Sequence, residues 1–66
     1  MNNKIPREFK TIKATCLAGN AKGSRMEITR DNYGIHGRDE DNGQMWSIFL
    51  SMLRNHDVFQ IDEIIF

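Results

Sequence analysis

One cysteine, one proline, one tryptophan and one tyrosine among 66 residues leave few of the devices by which small proteins staple themselves or react. Cys16 has no partner, so an internal disulfide is excluded. Small secreted domains usually carry several cysteines, and a reducing, cytoplasmic setting is therefore expected. Cys16, His36 and His56 each stand alone in their segments, without C-x-x-C or H-x-x-x-H spacing, so no metal site is expected. The opening MNNKIPREFK has no apolar stretch of the kind a secretory signal needs. The longest apolar run, Met45 to Leu53, is broken by Ser47 and Ser51 and is too short to span a bilayer, so no membrane partner is expected.

Length sets a further bound. A chain of this size reads as one domain, 1–66, with 1–8 as a flexible N-terminal arm. Such a domain buries only about 60% of the surface its unfolded chain exposes. Its core is thin, a deep catalytic cleft is hard to build, and oligomerisation is a common remedy.

Two stretches imitate known sites and fail on spacing. LAGNAKGSR, residues 17–25, has two glycines, a lysine and a serine, as a phosphate loop does. That loop needs four residues between its glycines, then Lys and Ser or Thr, then a helix. Here three residues separate Gly19 from Gly23, Lys22 precedes the second glycine and a strand pattern follows. Gly19, Asn20 and Gly23 instead suit a bend that needs positive φ. RDEDNG, residues 38–43, resembles a calcium loop, but counting from Asp39 puts Gly43 at position 5 and Leu50 at position 12, where position 6 should be Gly and position 12 Glu. A solvated acidic turn is the expectation.

What is present is pattern. Ile12, Ala14, Cys16 and Ala18 alternate with polar residues, and Met26 and Ile28 alternate with Arg25, Glu27 and Thr29. Both read as half-buried strands. Asp31-Asn32 and Gly34 signal a turn, YGIHGR a short third strand, and Asn42-Gly43 a second turn. In MWSIFLSMLRN the polar Ser47, Ser51 and Arg54 fall at i, i+4 and i+7, one stripe of a helix that starts with a few extended residues. VFQIDEIIF reads as a closing strand, with Phe59, Ile61 and Ile65 on one face and Val58, Ile64 and Phe66 on the other. The predicted fold is α+β: a small antiparallel sheet with one helix before the C-terminal strand, β-β-β-α-β. A small five-stranded barrel with a short helical turn is the alternative.

Net charge is zero, yet residues 1–30 carry seven cations against two acids and residues 31–66 two against seven. On the alternation above, Lys13, Arg25, His36 and Arg38 share one sheet face, with Lys22, Arg30 and Tyr33 in or beside the turns. Cations next to an aromatic ring are the ingredients of single-stranded nucleic-acid or anion binding.

The larger anomaly is apolar. Met45, Trp46, Ile48, Phe49, Leu50, Met52 and Leu53 leave a helix with an arc wider than one sheet can cover. Trp46, Phe49, Met52, Phe59, Ile65 and Phe66 are accordingly the candidate protein interface. No acid–base pair, nucleophile–base pair or metal set can be assembled, so no catalytic residue and no cofactor is expected. The leading expectation is a non-enzymatic protein-interaction module of regulator or inhibitor type, with a protein partner and most simply a homodimer. Small regulators from bacteria or their phages answer that description by association only. The alternative is a small nucleic-acid-binding domain.

Overall fold

Residues 3–66 are described by a computed structural model. Five strands, β1 (Thr11–Cys16), β2 (Arg25–Asp31), β3 (Gly34–Asp39), β4 (Met45–Ile48) and β5 (Phe59–Ile65), form one antiparallel sheet in the order β4-β3-β2-β1-β5. A short helix, α1 (Leu50–Arg54), sits between β4 and β5. The fold is mostly β. The barrel alternative is not supported, because β4 and β5 do not pair and the sheet stays open at both edges.

Alternation places the core. Ile12, Ala14 and Cys16 of β1, Met26 and Ile28 of β2, Ile48, Leu53 and Phe59 are all buried on one side of the sheet. One inner row runs across four strands as Trp46, Gly37, Ile28 and Ile12 and ends on Ile64 of β5. Gly37 has no side chain there, and Ile48 and Met26 fill the space. Ala18, expected on the core face, is exposed in the β1–β2 loop.

Three departures from the sequence expectation have local causes. Residues 45–48 are a fourth strand, so the order is β-β-β-β-α-β and the helix is only five residues long. The polar i, i+4, i+7 stripe is real as spacing, but pairing with β3 and the vacancy over Gly37 hold Trp46 and Ile48 extended. Phe49 then caps the helix in extended conformation, its carbonyl receiving the amides of Met52 and Leu53.

In β5 the register against β1 shifts between Lys13 and Ala14, whose partners are Glu63 and Ile61, leaving Asp62 as the extra residue of a bulge. A bulge inserts one residue and reverses the facing of everything beyond it. Ile64, not Ile65, therefore joins Phe59 and Ile61 in packing against the core. β5 is an edge strand of the sheet.

The third departure concerns Asp39, read as part of a solvated turn. It is buried, and its Oδ1 accepts the amide of Asp41 at 2.8 Å, closing the β3–β4 connection.

Of the expected arm, residues 1 and 2 lie outside the described ones. Asn3 donates its amide to the Arg54 carbonyl and its Nδ2 to the carbonyls of Leu53 and Phe59. The bonds to Leu53 and Arg54 occupy carbonyls that the end of α1 leaves without an intrahelical partner, and the bond to Phe59 ties the segment to the start of β5. Ile5 and Phe9 pack against the core beside them.

Candidate functional site

The β1–β2 loop settles into a bend. Gly23 donates to the Cys16 carbonyl at 2.7 Å and Lys22 to that of Gly19 at 3.2 Å, with φ of 79° at Gly19 and 91° at Gly23. Asn20, expected to share the positive φ, does not. Lys22 is exposed at the loop.

On the outer face, neighbouring strands alternate in sign. Arg38 pairs with Glu27, Glu27 with Lys13, and Lys13 with Glu63. The acidic C-terminal strand thus lies beside the basic N-terminal ones, and the split seen along the chain is interleaved in space. Cross-strand neighbours of opposite sign are mildly stabilising, at about 0.2–1 kcal/mol each. His36 Nε2 lies 3.3 Å from Asp31 Oδ1, so this candidate cation also has an acid beside it. Tyr33 stands clear of the sheet, 91% exposed, in a turn closed by its own amide bonding to Asp31 Oδ1.

Lys13, Arg25, Glu40, Asp62 and Glu63 rim a depression of about 300 Å³ on this face. Gln60 Nε2 and Thr15 Oγ1 each donate to the Asp62 carboxylate at 2.7 Å. Those bonds, Gln60 first and Thr15 next, with Arg25 contributing charge, hold the Asp62 carboxyl below the ordinary aspartate value against a small opposing effect of burial. A carboxylate depressed by folding stabilises the native state above its unfolded pKa, and that contribution is lost as pH falls through the folded value. Between about pH 5 and pH 2, Asp62→Asn is therefore expected to lose less stability than the parent. Urea denaturation at the two ends of that range checks it, and parallel losses would rule the carboxylate out as a contributor.

The apolar candidates divide between core and surface. Phe59 is 2% exposed and belongs to the core, so it offers no outward surface. Trp46 is half-buried against the core, and its buried Nε1 has no hydrogen-bond acceptor among the described residues. It lines a cleft of about 200 Å³ with Cys16, Met26, Met52, Val58 and Phe59. Cys16 itself is buried, its Sγ 3.1 Å from the Ala18 carbonyl oxygen. Phe49 is 73% exposed, and Met45 and Met52 are exposed on either side of it in the chain. Ile65 and Phe66 are exposed at the end of β5, where Phe66 flanks Phe9.

Sequence reading missed a second cluster. Arg7, Arg30 and Arg54 line one open cleft of about 440 Å³ with Ile5, Pro6 and Leu50. The signal was available for Arg30: it continues the parity of Met26 and Ile28, which puts it on the core side at the end of β2. Arg7 and Arg54 come to it from the N-terminal segment and α1, and no local pattern announces that meeting.

Among the described residues, no group of three His, Cys, Asp or Glu side chains is placed to hold a metal ion. No described helix is long and apolar enough to cross a membrane. No protein-family model, curated protein or solved structure matches the chain.

Proposed function

We propose that the protein is a non-enzymatic interaction module that works as a homodimer, joined edge to edge through β4. The observation that carries this reading is the contrast between the two sheet edges. Free edges are templates for another strand, and proteins guard them with charges, bulges or covers. β5 has all three forms of guard: the bulge at Asp62, the carboxylates Asp62 and Glu63, and Asn3 bonded to the Phe59 carbonyl. β4 reads MWSI, without charge, proline or bulge, and is followed by the exposed Phe49.

The second copy is favoured as occupant because β4 is self-complementary. Residues directly opposite in an antiparallel pair share a sheet face. A twofold axis through Ser47 sets Met45 against the partner's Phe49 on the outer face and Trp46 against the partner's Ile48 on the inner one. No like charges meet, whereas β5 paired with itself would crowd four carboxylates. Cross-strand pairs add only about 0.2–1 kcal/mol each. Most of the association must come from removing Phe49 and Met45 from water, at about 25 cal/mol per Å² of apolar surface.

Native mass by light scattering on a sizing column, at low and high salt, tests the reading. The parent is expected to be dimeric at both salts. Ser47→Lys, at an exposed position of the monomer, places two ammonium groups opposite each other at the axis and is expected to give a folded monomer. A monomeric parent, or a Ser47→Lys protein that stays dimeric, would overturn the β4 interface. Loss of the dimer on Ile65→Lys but not on Ser47→Lys would move the interface to β5.

A further inference from the structure

The arginine cleft has no part in the β4 interface, and its composition calls for an explanation of its own. Three arginines from three separate segments line it, while the whole chain has zero net charge. No carboxylate lines it, so the charge of Arg7, Arg30 and Arg54 is not offset by any acid in the lining. On the outer face Arg38, Glu27, Lys13 and Glu63 alternate in cross-strand register, whereas only basic and apolar residues line this cleft. Like charges gathered without a counter-ion work against the folded state. A bound anion would remove that cost.

Arg30 is set in place before any ligand arrives. Its Nη1 donates to the Arg7 carbonyl at 2.6 Å, and its guanidinium carbon stands 5.0 Å from the centre of the Phe9 ring. A guanidinium fixed by a backbone oxygen and an aromatic face keeps further N–H donors free and loses little freedom on binding. The remaining lining, Ile5, Pro6 and Leu50, is apolar.

We propose that this cleft seats a phosphate monoester with a flat apolar body. The charge selects the phosphate: a monoester carries about −1.5 to −2 at neutral pH and presents three strong acceptor oxygens, enough to engage three arginines. A carboxylate is matched by one bidentate arginine and would leave the other two unpaired. The apolar lining selects the body, since a ring laid on Ile5, Pro6 and Leu50 covers surface that inorganic phosphate leaves wet. A volume of about 440 Å³ accommodates such a small molecule.

Phenyl phosphate is the probe, titrated into isotopically labelled protein and followed by amide chemical shifts. Saturable shifts are expected at residues 5–7, 30 and 50–54, with inorganic phosphate and benzoate each weaker by about tenfold or more. Arg7→Gln combined with Arg54→Gln is expected to weaken phenyl phosphate by a further factor of about ten, whereas Arg25→Gln with Arg38→Gln, which removes the same charge from the outer face, leaves it unchanged. Melting curves confirm that both double variants are folded. Absence of saturable shifts, benzoate binding as tightly as phenyl phosphate, or equal loss in the two double variants would overturn the proposal.

Discussion

Alanine at Leu53 is expected to lower stability by about 2–5 kcal/mol, enough to leave much of the population unfolded at physiological temperature. Leu53 is fully buried and is the one interior side chain of α1. A five-residue helix cannot hold itself in water, because nucleation consumes most of what its few hydrogen bonds return. Packing of Leu53 against the sheet, with Asn3 bonded to the Leu53 and Arg54 carbonyls, is what keeps α1 in place. In a domain of this size each kcal/mol moves the melting temperature by about 4–8 °C. Thermal and urea melts followed by circular dichroism measure the loss. Leu53→Met, which keeps the volume, should cost less than about 1.5 kcal/mol. A loss below about 1 kcal/mol for the alanine variant would mean that α1 is not anchored through this side chain.

Valine at Gly37 is the second large effect, expected at about 1–3 kcal/mol. Gly37 is buried in β3, paired with Ile28 on one side and Trp46 on the other. A Cβ there would collide with Cδ1 of Ile48 and press on Sδ of Met26 at 3.3 Å. The Ile48 methyl is the end of a flexible chain, so Gly37→Ala should be tolerated far better than Gly37→Val, whose two further carbons have no room. The pair also makes a thermodynamic cycle. Ile48→Val alone should cost about 0.5–1.5 kcal/mol, but in the Gly37→Ala background it removes the clashing methyl and should cost less or nothing. Strict additivity of the two changes would show that Gly37 is not kept small by Ile48.

Both results bear on the proposed interaction surface. Ile48 over Gly37 ties β4 to the sheet, and Leu53 turns the chain away immediately after Phe49. Together they leave β4 as an uncharged edge with Phe49 beside it. A variant that loosens either contact should also weaken the proposed self-association.

The meander was legible because strands with one wet face alternate with period two. Ile12, Ala14 and Cys16, then Met26 and Ile28, announced their burial, and Asn42-Gly43 its turn. The period fails where one residue is added or where two periods overlap. At Asp62 a bulge reverses the facing of Ile64 and Ile65. From Met45 to Arg54 the chain passes from strand to helix at Phe49, so neither periodicity covers the segment. Much of the apolar excess in that segment was absorbed by this switch: Ile48 and Leu53 are core, Trp46 and Leu50 pack against it, and Met45, Phe49 and Met52 remain outside.

By itself, then, the sequence determined the strands β1, β2, β3 and β5, the inward faces of β1 and β2, the bend in LAGNAKGSR and the failure of the phosphate-loop and calcium-loop patterns, since all of these depend on residues close along the chain. Tertiary structure alone decided which strands became edges, how the basic and acidic halves interleave as Arg38, Glu27, Lys13 and Glu63, and that Arg7, Arg30 and Arg54 meet. Strand order and register bring together residues far apart in sequence, and no spacing within one segment encodes that neighbourhood.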